Sequence, residues 1–179
     1  MIDAFLQSSE FAGFVSPVVR LYFATFLRVP DYSGLMFNAG LVRAGTITVA
    51  QLAEFFTTSP EFTGLYGSLT NAQFVSLLYA NVLGRPADPG GLAGWTAFLD
   101  AGTYSRGQVL LGFSDSGEYQ NAMAHEVLVT MMYAGMLRRT PDPAGFSGWV
   151  TFLDNATYTR EQVINGFFLS GEYRARFLP

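Results

Sequence analysis

The chain repeats itself. Residues 78–119, which include the run LGRPADPGGLAGW and end on SGEY, return at 132–173 with a constant shift of 54 and no gap. A looser copy lies 57 positions earlier, at 21–62. A period of this length is the mark of stacked supersecondary units, none of which can bury its apolar face alone. Residues 1–11 align on 163–173, pairing Phe5 with Phe167, Ser8 with Ser170 and Glu10 with Glu172. The expected organisation is therefore the tail of a preceding copy over 1–11, a divergent copy over 12–62, a second over 63–119 and a third over 120–179. Both ends fall at the same phase of the repeat, as in a segment of a longer array and a larger polypeptide.

Capping chemistry divides each copy into helices. Thr70 is followed three positions later by Gln73, the reciprocal pattern that satisfies the free N–H groups at a helix start. Phe74, Leu77, Leu78 and Val82 then share one face, as Leu128, Met131, Met132 and Met136 do in the third copy. Gly84 is suited to a left-handed helix end, but Arg138 and Leu27 stand at its place elsewhere, so that cap is expected in one copy only. Asp88-Pro89 and Asp142-Pro143 combine a side-chain acceptor with a first-turn proline and open a second helix; Asp31 holds the same place in the first copy. That helix is expected to turn Leu92, Trp95 and Leu99 inward, and Phe146, Trp149 and Leu153 likewise. Gly91, Gly94, Gly145 and Gly148 recur inside it, which predicts a close approach by another backbone or by the indole ring. Ser105 with Gln108, Thr159 with Gln162 and Thr48 with Gln51 open a third helix, and Ser59, Ser116 and Ser170, followed by Glu61, Glu118 and Glu172, a fourth. With no alternating apolar runs between hairpin turns, the fold class is all-α.

Composition narrows the function. Half the residues are hydrophobic and only 13% are charged, so the chain can bury a substantial core. All ten basic residues are arginine and the net charge is −4, which removes the positive field a nucleic-acid partner requires. Cysteine is absent, which excludes disulfides, thiolate metal sites and a thiol nucleophile. The longest apolar runs, such as 127–137, fall short of the roughly 20 residues of a transmembrane helix. The N-terminus shows neither the basic stretch nor the cleavage site of a signal peptide.

The residues LGRPADPGGLAGW and LRRTPDPAGFSGW, each with its downstream SGEY, resemble a bacterial domain family of unknown function marked by a multi-copy L-G-R-x-P-D-x-x-G-x-x-x-W pattern. The likeness covers nearly the whole chain. The first copy keeps Arg28, Asp31, Gly34 and Glu61 but has Leu27, Tyr32 and Asn38 where the pattern has glycine, proline and tryptophan. The resemblance implies a module of large exported proteins: S-layer-like proteins, adhesins and calcium-repeat proteins that leave by type I secretion, whose signal lies at the far C-terminus. A more distant similarity to phycobilisome linker domains implies assembly with a protein partner. The family brings no catalytic residues and no cofactor.

Two sets of residues are candidates for ligand contact. Arg85 and Arg139, with Asp88, Asp142, Glu118 and Glu172, form either an ion or glycan site or a loop clamp in which Arg pairs with one carboxylate while Asp caps its helix; the second reading gives every member a folding task. The acids lack the D-x-D-x-D-G spacing of a calcium loop, and no metal site is expected. Trp95 and Trp149 serve either as core or, with the loop residues Tyr104 and Tyr158, as a surface for sugar faces. His125 is the one histidine and is expected to be structural. Paired acids, for example Asp88 with Glu118, could hydrolyse a glycan, but repeated caps explain both. The sequence thus points to a non-catalytic structural or interaction module at the cell surface or outside the cell, with a glycan-binding module as the alternative.

Overall fold

The computed structural model describes residues 11–177, so the stretch 1–10, expected to be the tail of a preceding copy, lies outside the described residues. Among the described residues there are twelve α-helices and no strand, four helices to each copy. The first copy is α1 (Ser16–Phe26), α2 (Tyr32–Arg43), α3 (Val49–Thr57) and α4 (Pro60–Tyr66), with a π-helical turn at Phe11–Val15 before α1. The second is α5 (Asn71–Leu83), α6 (Pro89–Asp100), α7 (Arg106–Ser114) and α8 (Gly117–Ala122). The third is α9 (Ala124–Met132), which runs on into a π-helical turn at Tyr133–Leu137, then α10 (Pro143–Asp154), α11 (Arg160–Leu169) and α12 (Gly171–Phe177).

The starts follow the capping pattern. Thr48, Thr70, Ser105 and Thr159 each close a capping box with the Gln three residues on. Asp88 and Asp142 accept from the N–H of Gly91 and Gly145, both at 2.8 Å, and Asp31 accepts from Gly34 at 2.7 Å. The serines Ser59, Ser116 and Ser170 accept from the N–H of Phe62, Tyr119 and Tyr173. Each bond satisfies a donor that the helix leaves open.

The first helix ends differently from expectation. Gly84 is left-handed at φ 63°, and so are Leu27 at φ 53° and Arg138 at φ 51°. The left-handed end is thus common to all three copies, although two carry a side chain there at a cost of about 1–2 kcal/mol. The turn is kept because the next residue is the arginine, Arg28, Arg85 or Arg139, whose direction it sets.

The chain divides into two compact units that do not coincide with the sequence copies. One contains Arg20–Arg28 and Leu41–Ala122. In it α3 packs along α7, α5 packs on α6, α7 and α8, and α4 and α8 fold back on α3 and α7. Its core holds Phe74, Val75, Leu78, Val109 and Leu110, all at most 2% exposed. Gly107 sits where α3 and α7 meet: a Cβ there would stand 2.6 Å from the Glu54 Cα, and the Glu54 carboxylate accepts the Gly107 N–H at 2.7 Å. The other unit contains the described residues up to Val19, Val29–Gly40 and the chain from Met123 onward. Here α10 packs on α9 and α11, and α12 returns to α11 and the π-helical turn. Val129, Met132 and Val163 are fully buried in it, and Thr140 Oγ1 accepts the Tyr32 N–H at 2.8 Å, holding the start of α2.

The left-handed ends make a direct prediction. Arg138→Gly raises the unfolding free energy by about 1 kcal/mol, because the strain goes and the side chain is exposed. Gly84→Ala lowers it by a similar amount; urea unfolding of both variants, with changes of the same sign, would contradict the assignment.

Candidate functional site

One group of side chains recurs in every copy, built around a tyrosine. Tyr22, Tyr79 and Tyr133 lie six residues before Arg28, Arg85 and Arg139, on α1, on α5 and at the start of the π-helical turn that continues α9, and are 4–6% exposed. Phe56, Phe113 or Phe167 from the third helix meets each ring in a T-shaped pair at a centroid distance of 4.9, 5.0 and 5.0 Å. Each arginine lays its guanidinium on the tyrosine ring, 5.3, 5.3 and 4.8 Å from the centroid. Such contacts contribute about 0.5–1.5 kcal/mol per aromatic pair and about 0.5–1 kcal/mol per partly exposed cation.

The other side of the guanidinium faces a carboxylate at the start of the fourth helix. Arg28 reaches Glu61 at 2.6 and 3.0 Å, and Arg139 reaches Glu172 at the same two distances. Arg85 and Glu118 are looser, at 3.6 Å. Arg139 also touches Asp142 at 3.3 Å and its own loop carbonyl at Thr140. The hydrogen bond to Glu172 raises Arg139 above the ordinary arginine range, and the same contact lowers Glu172; Asp142 is lowered first by the Gly145 N–H that it accepts and also by Arg139. Burial pushes the Tyr133 phenol up, with Asp142 adding to it, while a hydrogen bond with Trp149 works the other way. These pairs are more than a third exposed, so each contributes on the order of 0–1 kcal/mol and acts chiefly by fixing direction.

The glycines of the pattern are explained by the tyrosine hydroxyl rather than by an indole or a second backbone. A Cβ on Gly91 or Gly145 would overlap the Tyr79 or Tyr133 hydroxyl, whereas Gly94 and Gly148 have open space around them. The indole instead covers Gly166, where a Cβ would lie 2.8 Å from Trp149 Cη2.

Trp95 and Trp149 are half-buried rather than central to the core. Trp95 packs on Phe113 at 5.8 Å and Trp149 on Phe167 at 5.2 Å. On its outer side Trp95 meets Phe98 and Tyr104, which also meet each other at 5.5 Å. Trp149 meets Phe152, and Phe152 meets Tyr158 at 5.0 Å. Phe98, Tyr104, Phe152 and Tyr158 are 39–45% exposed. The first copy has Asn38, Leu41 and Ile47 at the places of Trp95, Phe98 and Tyr104, yet forms the same helices.

His125 has a structural counterpart that the sequence hides. It stands at the place of Asn71, and its Nδ1 lies 2.7 Å from Asp154, as the Asn71 amide donates to Asp100 at 2.7 Å. Arg106 completes the second copy's group by donating to Asn71 and to the Leu69 carbonyl. Burial raises the carboxyl of the neighbouring Glu126, and Asp154 raises it further. Among the described residues no group of His, Asp and Glu is arranged to hold a metal ion, and no helix is long and apolar enough to cross a membrane.

The family model for a domain of unknown function (DUF4214) matches the chain twice, over residues 53–123 and 118–177. The chain belongs to the DUF4214 family. No curated protein and no solved structure matches it. The two DUF4214 matches take in the tyrosine-centred groups of the second and third copies in large part, including Arg85, Glu118, Arg139 and Glu172.

The tyrosine and phenylalanine are the members that sequence reasoning did not single out as a pair. Their signal was present, since Tyr six residues before Arg is kept in all three copies. The contact predicts that Gly145→Ala costs about 1–3 kcal/mol by overpacking. In a Tyr133→Phe background, which removes the hydroxyl, the same substitution costs at least about 1 kcal/mol less. A double-mutant cycle in urea measures the coupling, and strict additivity would refute the contact.

Proposed function

We propose that this DUF4214 chain is a non-catalytic structural and interaction module of an exported or cell-surface protein, in which successive copies form a helical scaffold. The observation that carries this reading is the engagement of the repeated polar residues with one another: Arg with Glu, Asp with a helix-start N–H, Gly with a tyrosine hydroxyl. A catalytic pair needs one acid or base free to exchange a proton with substrate. Asp88 and Glu118 are instead drawn into a cap and an ion pair. An extracellular location reached by type I secretion is supported by the lack of cysteine and by the resemblance to modules of exported proteins.

A second reading, glycan binding, is favoured by the half-exposed rings of Phe98 and Tyr104 and of Phe152 and Tyr158. The first copy shows that the repeat folds without them, which leaves a surface task for these rings. An aromatic face with exposed edges suits the C–H face of a pyranose, and the polar Asn71, Asp100 and Arg106 belong to the same copy.

The two readings separate in one set of assays. The purified chain releases no reducing ends from bacterial polysaccharides; release that vanished in Asp88→Asn would contradict the non-catalytic reading. On a glycan array, binding that is lost in Tyr104→Ala with Tyr158→Ala, while circular dichroism stays unchanged, selects the glycan-binding reading. An array without any bound glycan leaves the scaffold reading alone.

A further inference from the structure

The turn after the second helix has one form in two copies and another in the third. Ala44-Gly45-Thr46 and Ala101-Gly102-Thr103 become Asn155-Ala156-Thr157. In all three the middle residue is left-handed, Gly45 and Gly102 at φ 68° and 66° and Ala156 at φ 51°. In all three the threonine N–H donates to a carbonyl near the end of the second helix, Leu41, Phe98 or Phe152, at 3.0, 2.9 and 2.9 Å. Such a turn asks for glycine, or failing that asparagine, at the left-handed place. The third copy sets its asparagine one place earlier, at φ −83°, and leaves alanine to carry the strain. The Asn155 side chain is thus not there to form the turn. Asn155 and Thr157 are both exposed, and among the described residues neither the Asn155 amide nor the Thr157 hydroxyl has a hydrogen-bond partner.

What the third copy gains is Asn-x-Thr, the one such triplet in the sequence and the acceptor pattern for N-linked glycosylation on a surface loop. We propose that Asn155 is a modification site whose side-chain nitrogen carries a glycan. In the transfer that nitrogen bonds to the anomeric carbon of a diphosphate-activated sugar. The carbon–oxygen bond to phosphate breaks, the diphosphate leaves with the electron pair, and the amide gives up one proton to the base of the cell's transferase. The folded turn can hold the product, because its own hydrogen bonds are all made by the backbone. Phe152 stands three residues before Asn155, on the same side of the helix end. Its ring is 39% exposed and forms a T-shaped pair with Tyr158, so the first sugar has an aromatic ring beside its point of attachment. The second copy keeps Phe98 and Tyr104 but has Ala101 in place of the asparagine, which confines the modification to the third. The proposal goes beyond the scaffold reading, which stands whether or not Asn155 is modified, and it gives the rings of the third copy the chain's own glycan to hold.

Mass spectrometry of the protein isolated from the cells that make it provides the test. Trypsin cuts after Arg139 and Arg160 and releases the peptide 140–160, in which Asn155 is the one asparagine. The expected peptide is heavier by one or more sugar residues, and electron-transfer fragmentation places them on Asn155. A single added sugar points to a nucleotide-linked donor, and an oligosaccharide added whole to a lipid-linked one. Expressed in the same cells, Asn155→Gln and Thr157→Ala each lose the added mass while keeping the helical circular dichroism, and Thr157→Ser retains it. The modified chain unfolds at a higher temperature than Asn155→Gln, and Phe152→Ala, still modified, loses most of that difference relative to Phe152→Ala with Asn155→Gln. An unmodified peptide 140–160 would overturn the proposal, as would sugar attached to Thr157 or retained in Asn155→Gln.

Discussion

The phenylalanine and arginine that recur in all three copies meet at a buried tyrosine. Tyr133 and its equivalents receive a phenylalanine ring from the third helix, a guanidinium on the ring face from the loop after the first, and, at Tyr79 and Tyr133, the backbone of a glycine against the hydroxyl from the second. A single side chain thus fixes the relation of three helices, and the arginine extends the arrangement to the fourth through Glu172, Glu118 or Glu61. The ion pairs are too exposed to hold the fold by their own energy. Their part is to direct a helix start onto a ring stack that burial has already made favourable.

That constraint explains features that look arbitrary one at a time. The arginine can lie over the ring only if the chain reverses directly after the first helix, which is why Leu27 and Arg138 accept a left-handed backbone that glycine would adopt freely. Gly91 and Gly145 are excluded from growing a side chain by the hydroxyl, while Gly94 and Gly148, three residues on, are under no such restriction. Variation falls outside the group: Asn71 gives way to His125, and the Trp95, Phe98 and Tyr104 set to Asn38, Leu41 and Ile47. At Gly107 the equivalents are Ala50 and Glu161; the close approach is that of Gly107 in α7 of the second copy to Glu54 in α3 of the first.

The helical architecture was legible in the sequence because its determinants are local. Capping boxes at Thr48, Thr70, Ser105 and Thr159 and the Asp-Pro starts need only a few neighbouring residues, and the period reveals how often they recur. The pairing of Arg with a glutamate 33 positions later was legible from recurrence. Contacts whose chemistry is not written into residue type were harder to see. A left-handed Leu27 or Arg138 violates the usual preference for glycine, and only the requirements of the following arginine account for it. The role of Gly91 depends on a tyrosine twelve residues earlier, so spacing alone could not separate it from Gly94. Trp95 looks like a core residue on its helix, yet its outer side faces Phe98 and Tyr104 at the surface. The division into units that cross the copies depends on contacts over long separations, which periodicity does not encode.

The repeated signature is a folding device, and the exposed rings of the same copy are not. The unfolding free energies of Tyr133→Leu and Tyr158→Leu, measured side by side in urea, test this most directly. Losing the buried ring should cost about 3 kcal/mol or more through lost packing, while the 42% exposed Tyr158, whose ring meets Phe152 at 5.0 Å, should cost no more than about 1.5 kcal/mol. Equal losses at the two positions, or a Tyr133 variant as stable as the parent, would contradict the account.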